Sequence, residues 1–369
     1  MWEVIYSLFS VSAGSLCLLS VLLLFNFTGV NTLANRWLGA FYLFLALALF
    51  QQFMEKTGLA EQSPAFVHGL ELSRWALAPC FYIALLYFVN PGKKSPIILA
   101  HFIPMAGFVI FSFLFITPRF FSAQPAVELS ASLGFFFRYF SILQAIIYWL
   151  LSFKLINSHS KNIRLISSNI ENIDLFWVKH LLLGTIVLLI IRIAAHNNGT
   201  ISALTLVLYS AGIFYIAFYS LKQRILYPII ASDLPQVQSV IHEKKSSERL
   251  STDQVDELKN KVLLALESKQ LFLDPTLTLP ALSKEVGVGI HELSYVINNG
   301  FSKNFYSLIN EMRIAEAKKI LLSEQHRHLD MVGIAIRAGF NSKTTFNTTF
   351  KRLTGQTPTE FLKPEKTNS

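Results

Sequence analysis

Five ionisable residues interrupt the long apolar stretches in the N-terminal part of this 369-residue chain. A charge within an apolar stretch is costly unless it is paired or faces an aqueous cavity, so such residues are candidates for ligand binding or ion pairing. The excess of arginine among them favours an outward-opening pocket for an anionic or amphiphilic ligand. The alternative is a structural ion pair that locks helices together, with the arginine head groups reaching towards water. The five candidates are Glu71 and Arg74, three apart and so expected to share a helix face and pair, with Arg138, Arg192 and His196.

No other residue pattern in the sequence is typical of an enzyme. The nine histidines are not spaced with cysteines or carboxylates as metal ligands are, and no phosphate-binding glycine loop or nucleophile elbow occurs. Cys17 and Cys80 fall in apolar stretches and are interpreted as packing residues, and two cysteines exclude a disulfide scaffold. We therefore expect no catalytic residue, no cofactor and no metal site, and we do not expect an enzyme.

Apolar segments dominate the N-terminal part, residues 1–228. The whole chain is 52% hydrophobic and only 15% charged, which excludes a disordered protein. A helix needs about 20 apolar residues to cross the hydrocarbon core of a bilayer. Seven segments in succession, separated by short polar loops, favour a transmembrane bundle over buried helices in a soluble domain. The segments lie near residues 5–27, 37–54, 70–90, 96–117, 129–153, 179–196 and 200–221.

Positive charges are distributed unequally between the loops. Alternate loops carry nine Lys and Arg residues, whereas the opposite side carries four. The positive-inside rule therefore predicts that the N-terminus is outside and that the chain from residue 222 onward is cytoplasmic. Up to residue 228 there are 14 basic and 7 acidic residues, net +7, and beyond it 18 and 16, net +2. Most of the +9 of the whole chain is thus a topology signal.

The composition changes at about residue 229. Residues 229–250 are polar and are predicted to form a cytoplasmic linker to a soluble helical domain over residues 251–363. In that domain a helix, a glycine turn and a second helix occur twice, with the turns at Gly287 and Gly339. A longer helix over residues 303–322 connects the two units. The predicted fold class is all-α: a transmembrane bundle of about seven helices, then two helix-turn-helix units joined by a long helix.

An ordered series of motifs runs through both helix-turn-helix units. It covers residues 255–363, under a third of the chain, and resembles the AraC/XylS family of bacterial transcription regulators. Because the series spans both units, it is more specific than a lone helix-turn-helix pattern. Its members are Leu282–Val288, His291–Ser294, Asn304-Phe305, Arg313-Ile314, Ala317, Leu321-Leu322, Ile334-Ala335, Gly339–Ser342, Phe346, Phe350-Lys351 and Gly355–Pro358.

The resemblance implies two recognition helices, about Ile290–Asn298 and Ser342–Leu353, that enter the major groove one helical turn of DNA apart. Asn347, which can pair with adenine, and Lys343, which can donate to guanine, are the preferred base readers. Lys351 and Arg352 are expected to contact phosphates. The outward side chains implied to reach base edges are His291, Glu292, Ser294 and Tyr295 in the first helix, and Lys343, Thr344, Asn347 and Thr348 in the second.

Three positions depart from the family pattern. Gly289 stands where a serine cap is usual, Thr348 where an arginine is common, and Leu362 where the domain commonly ends in arginine. The glycine is expected to weaken the start of the first recognition helix slightly. The other two changes remove phosphate partners, so we expect weaker non-specific affinity and a shallower salt dependence than is usual in the family.

These features together predict a one-component regulator, multi-pass in a bacterial cytoplasmic membrane, that binds promoter DNA in response to a sensed signal. The expected partners are double-stranded promoter DNA, the lipid bilayer, RNA polymerase, a second copy of the chain and an anionic or amphiphilic ligand. One alternative is a transporter or intramembrane enzyme with an attached regulatory DNA-binding domain, whose flux or turnover would not need residues 251–369. Another is an anchor that holds DNA at the membrane without sensing.

Overall fold

The chain folds into two compact units, which we call the N-terminal unit (Met1–Ser158 and Leu175–Leu226) and the C-terminal unit (His159–Asp174 and Tyr227–Ser369). The predicted domain boundaries at residues 228 and 250 stay predictions. The computed structural model describes residues 2–26, 29, 31–90, 96–116, 129–171, 173–194, 207–208, 211–215, 218–219, 239–240, 250–324 and 329–362.

The described residues of the N-terminal unit are almost entirely helical, because a backbone in an apolar segment satisfies its polar groups within the helix. Short 3₁₀ turns occupy Leu59–Gln62 and Pro96–Phe102, and a π-helical turn occupies Ser112–Ile116. The helix Leu129–Ile166 has residues in both units. The helices are α1 (Trp2–Phe25), α2 (Thr32–Thr57), α3 (Pro64–Leu70), α4 (Leu72–Val89), α5 (Ile103–Phe111), α6 (Leu129–Ile166) and α7 (Phe176–Ala194).

Four helical segments are long and apolar enough to cross a bilayer, by length and composition: Thr32–Thr57, Pro64–Val89, Ile97–Leu114 and Tyr139–Ile166. Two further apolar helices, Ser10–Phe25 and Phe176–Ile191, are shorter. Together they overlap the first six predicted segments, while the seventh, near residues 200–221, lies largely outside the described residues. The count of seven crossings and their orientation therefore stay predictions.

Helices α1 and α2 approach each other closely at Gly39. A Cβ atom added there would lie 3.0 Å from both the Ser20 carbonyl oxygen and the Leu24 Cγ. The Ser20 hydroxyl donates to the Gly39 carbonyl at 2.8 Å, in a buried position. Small residues and hydrogen bonds between helices are the means by which apolar helices associate in lipid, where the hydrophobic effect does not drive them together. The α1–α2 contact has this character.

The C-terminal unit contains two helix-turn-helix units connected by one long helix. No β-strand occurs in the part of the chain that the structure describes, so the predicted all-α fold class is confirmed. One isolated antiparallel bridge pairs Ser167 with Thr278. The helices are α8 (Thr252–Ser268), α9 (Leu279–Val286), α10 (Ile290–Tyr295), α11 (Phe305–Leu322), α12 (Met331–Arg337), α13 (Lys343–Thr354) and α14 (Pro358–Phe361).

The ends of these helices follow from short polar side chains and glycines. Gly287 and Gly339, the two predicted turns, have φ angles of 75° and 86°, in the left-handed region that favours glycine. Except at α10, whose N-cap is Gly289, the N-cap side chain accepts a hydrogen bond from a backbone N–H three residues on, which satisfies a donor that the helix leaves free. The capping residues are Ser251, Thr278, Asn304, Asp330, Ser342 and Thr357.

Each helix-turn-helix unit has its own hydrophobic core, and α11 contributes to both. Leu308 and Ile309, in its first half, pack into the core of the first unit. Ile314, Ala317 and Leu321, in its second half, pack into the core of the second. Because one continuous helix supplies both cores, it sets the separation of the two units.

Candidate nucleic-acid interface

The first predicted recognition helix is α10, which continues into a π-helical turn over Val296–Gly300. Ile290 and Leu293 face the core of the first unit and anchor the helix. The four predicted DNA-contacting residues lie elsewhere on its surface. His291 and Glu292 are exposed, and Ser294 and Tyr295 are half-buried. The exposed pair comes at the start of the helix, the end that meets base edges in helix-turn-helix proteins.

Two of these side chains already have partners within the chain. The Glu292 carboxylate accepts a hydrogen bond from the Gly289 backbone N–H at 3.0 Å. This bond satisfies one N–H group at a helix start that has no serine cap, so Glu292 partly compensates for the glycine. His291 Nε2 lies 2.7 Å from the Ser239 hydroxyl. A DNA contact by either residue would have to accommodate or replace these bonds.

The second predicted recognition helix is α13. Phe346 and Phe350 are fully buried and fix its inner face. The Ser342 hydroxyl accepts a hydrogen bond from the Thr345 N–H at 3.2 Å, so Ser342 caps the helix. The outer face carries the six predicted DNA-contacting residues: Asn347 is half-buried, and Lys343, Thr344, Thr348, Lys351 and Arg352 are exposed.

The charges on α13 lie at both ends of the helix. Lys343 is its first residue, and Lys351 and Arg352 lie in its last turn, where cations interact favourably with the helix dipole. The Thr348 hydroxyl donates to the Thr344 carbonyl at 2.9 Å, so its proton is directed to its own backbone. Long cationic side chains at both ends and amide and hydroxyl groups between them are suited to phosphate contacts flanking base contacts.

Helix α11 connects the two units that carry the predicted recognition helices. Its 18 residues correspond to a length of about 27 Å at the usual helical rise. This length is of the order of the ~34 Å between major-groove segments one helical turn apart. The connector therefore has a length compatible with the two-groove arrangement that the family resemblance implies.

The five predicted ligand-sensing residues are only partly described. Glu71 and Arg74 do not form the expected pair: Glu71 bonds to His68 Nδ1 at 2.9 Å, and Arg74 lies 4.0 Å from Glu55. Glu71 lies between α3, which ends at Leu70, and α4, which starts at Leu72, and its carboxylate contacts His68 on α3. The i, i+3 spacing of His68 and Glu71 could have indicated this pair.

The contacts of the other three predicted ligand-sensing residues lie outside the described part of the structure. Arg138 and Arg192 lie on α6 and α7, but their side chains are outside the description, as is His196 entirely. Among the described residues, no group of three or more His, Cys, Asp or Glu could hold a metal ion.

Comparison with known proteins points to the same C-terminal region. Residues 282–364 match the family model of a helix-turn-helix domain, which covers 83 of the 369 residues. No curated protein and no solved structure matches the chain. The match begins in α9 and includes both predicted recognition helices, α10 and α13. It supports a DNA-binding transcription regulator of AraC type.

Proposed function

We propose that this chain is a membrane-embedded one-component transcription regulator, which binds promoter DNA sequence-specifically in response to a signal received by its N-terminal unit. One observation carries the proposal: a helix-turn-helix match over residues 282–364 and four apolar helices long enough to cross a membrane occur in the same chain. In this proposal the protein is multi-pass in the bacterial cytoplasmic membrane, with the N-terminus outside and residues 251–363 in the cytoplasm.

The proposed sensor is an outward-facing site for an anionic or amphiphilic ligand, which would include Glu71, Arg74, Arg138, Arg192 and His196. In its support, polar side chains near the ends of α2, α3 and α4 contact one another: His68 Nδ1 lies 2.9 Å from Glu71, and Arg74 lies 4.0 Å from Glu55. An anionic ligand can exchange these contacts for its own. Ligand binding would then shift the unit between two arrangements. A second copy of the chain would raise avidity for paired DNA sites, and promoter-bound protein would contact RNA polymerase.

Replacing Asn347 with alanine is expected to relax specificity at one base pair. An asparagine that pairs bidentately with adenine contributes about 1–3 kcal/mol of discrimination. Lys351→Ala, by contrast, should weaken binding equally on all sequences and reduce the slope of log affinity against log salt by about 1. Titration of the intact protein in nanodiscs with a panel of operator variants at several salt concentrations measures both effects.

Asn260→Ala provides a matched control, since Asn260 is an exposed asparagine on α8, outside both helix-turn-helix units. It should change neither specificity nor the salt slope. A uniform loss of affinity on every sequence with Asn347→Ala would show that this residue does not read a base.

Genome-wide mapping of DNA bound by the intact chain in bacterial cells tests the function as a whole. We expect a limited set of promoter sites that share a motif, and the double variant Lys343→Ala, Asn347→Ala should lose them while its level in the membrane fraction is unchanged. Binding without a shared motif would contradict sequence-specific regulation. Transport or turnover that persists after deletion of residues 251–369 would instead favour a transporter or enzyme.

A further inference from the structure

The segment that follows α6 is bound to the C-terminal unit, and we call its residues 167–171 the docked loop. Ser167 pairs with Thr278 in the isolated antiparallel bridge. The Ser168 N–H and the Ser168 hydroxyl both donate to the Leu277 carbonyl, at 3.2 and 2.7 Å. The docked loop thus adds a short extended segment directly before α9, the first helix of the first helix-turn-helix unit.

The connector helix α11 holds the same serine from another side. Arg313 donates from Nη1 to the Ser168 carbonyl at 3.3 Å and from Nη2 to the Ser168 hydroxyl at 3.0 Å. Asn310 Nδ2 donates to the Ser168 carbonyl at 3.2 Å. Ser168, Asn310 and Arg313 are each 1% exposed. Buried polar groups are costly unless they are bonded, so this set of donors and acceptors forms a built binding site for the loop.

Apolar and aromatic contacts support the loop at its start. Ile166, the last residue of α6, is buried in the core of the first helix-turn-helix unit. The Arg164 guanidinium lies 5.8 Å from the centre of the Tyr306 ring, within cation–π range. The loop therefore has an apolar anchor as well as a polar one, unlike a segment that lies loosely on a surface.

The far end of the docked loop reaches the second recognition helix. The Ser342 hydroxyl, which caps α13, donates a hydrogen bond to the Glu171 carboxylate. The N-terminus of a helix carries a partial positive charge and commonly binds phosphate. In helix-turn-helix proteins this end of the recognition helix faces the major groove. Glu171 thus puts a negative charge where a DNA phosphate or base edge is expected.

We propose that the docked loop is an internal ligand of the DNA-binding domain, and that its Glu171 carboxylate occupies the N-terminus of the second recognition helix and opposes DNA binding until the loop leaves. The inference rests on the proposed DNA-binding function. It deepens that function by assigning a regulatory partner, which is a segment of the same chain.

The docked loop lies in the chain between two apolar helices, so a movement of either helix can regulate its docking. Residues 167–171 follow α6 directly, and α7 begins at Phe176, so both neighbours in the chain are apolar helices. A ligand that shifts either helix along its axis would pull on the loop and on its bonds to Ser342 and Arg313. This route is separate from the linker of residues 229–250.

Glu171→Gln tests the charge, because glutamine keeps a hydrogen-bond acceptor for Ser342 but removes the repulsion of DNA. We expect the full-length variant in nanodiscs to bind operator DNA about three- to tenfold more tightly than the wild type, the range expected for one unfavourable charge near a phosphate in a partly solvated site. Glu267→Gln, which neutralises an exposed glutamate on α8, controls for net charge and should leave affinity unchanged.

A disulfide between Ser167→Cys and Thr278→Cys tests the docking. Residues opposite each other in a bridge have Cβ atoms about 4.5–5.5 Å apart, near the range for a disulfide. Mild oxidation of the full chain in membranes should form the cross-link in the double variant and in neither single variant. The single variants control for cross-links to Cys17 and Cys80, which every form carries. The oxidised form should bind operator DNA about tenfold or more weakly than the reduced form, a difference of at least ~1.4 kcal/mol.

The outcomes separate the two proposals. Specific DNA binding that is equal in the wild type, Glu171→Gln and the oxidised double variant would overturn the internal-ligand proposal and leave the proposed function intact. Tighter binding by the oxidised form would also overturn it, because the loop would then support DNA binding. Absence of specific binding by every form would contradict the proposed function, and failure of the cross-link would contradict the docking by itself.

Discussion

Replacing Arg313 with alanine is expected to lower the free energy of unfolding of the C-terminal unit by about 3 kcal/mol, since hydrogen bonds from a charged group contribute ~1.5–3 kcal/mol each. The side chain is 1% exposed. Its Nε donates to the Phe272 carbonyl and its Nη2 to the Asp274 carbonyl, both at 2.7 Å. Alanine would leave these buried acceptors without a donor and open a cavity beside Ser168.

Burial lowers the pKa of Arg313 to about 10 from its ordinary 12.5, while the charge of Asp274 acts in the opposite direction. The guanidinium is still protonated at neutral pH, so a buried charge is maintained by its hydrogen bonds. Because the folded-state pKa is lowered, we expect no loss of stability as the pH rises from 7 to 9. Arg313→Lys keeps the charge but loses the planar arrangement of donors, and it should recover only part of the stability.

Hydrogen exchange measured by mass spectrometry on the intact protein in nanodiscs gives the free energy of opening for peptides from α11. Arg337→Ala is the matched control, because Arg337 is an exposed arginine on α12. Equal exchange rates in the two variants would show that the carbonyl bonds of Arg313 contribute nothing to stability. In Arg313→Ala, faster hydrogen exchange at residues 167–171 would show that the docked loop is released.

The helix-turn-helix architecture could be predicted from the sequence because its determinants are local. Apolar spacing identifies the inner face of each helix, and a glycine in the left-handed region marks each turn. Phe346 and Phe350 are buried, Gly339 has a positive φ angle and Ser342 caps α13, all in agreement with the pattern. Such features depend on residues three or four positions apart, so a single sequence contains them.

Partners distant in the sequence could not be predicted in this way. Arg313 was identified only as part of a motif, yet its acceptors lie 39 to 145 residues away in the chain. Periodicity indicates which face of a helix is buried but not which carbonyl a buried side chain reaches. For the same reason the spacing of Glu71 and Arg74 gave the wrong partners: Glu71 bonds to His68, and Arg74 lies 4.0 Å from Glu55 on α2, which the spacing does not indicate.

The short 3₁₀ turn Leu271–Leu273 explains why the two helix-turn-helix units keep a fixed relation. Arg313, at the middle of the connector, bonds to the Phe272 carbonyl. Gly339, in the turn of the second unit, approaches the backbone of Leu273. The connector and the second unit thus both contact this turn, at Phe272 and Leu273, and a change at this point should alter the separation of the predicted recognition helices.

Replacing Gly339 with alanine is therefore expected to destabilise the second helix-turn-helix unit by about 4 kcal/mol, the sum of backbone strain and overpacking. Its φ angle is 86°, and an added Cβ would lie 2.8 Å from the Leu273 Cα and 2.9 Å from the Leu273 carbonyl oxygen. These are backbone atoms that no side-chain rotation can move. Relief of the contact requires the second unit to shift away from the turn, so specific DNA binding should fall further than stability alone would cause.

Two other glycines separate the strain from the contact. Gly287 and Gly355 have φ angles of 75° and 82°, and an added Cβ would meet nothing within 4 Å at either position. Alanine at these sites introduces left-handed strain alone and should cost about 1–2 kcal/mol. Exchange of peptides from α12 and α13 measures the cost of Gly339→Ala and Gly355→Ala, and exchange of peptides from α9 and α10 measures that of Gly287→Ala. If Gly339→Ala cost no more than Gly355→Ala, the second unit would not be held against Leu273, and the spacing of the recognition helices would have to depend on α11 alone.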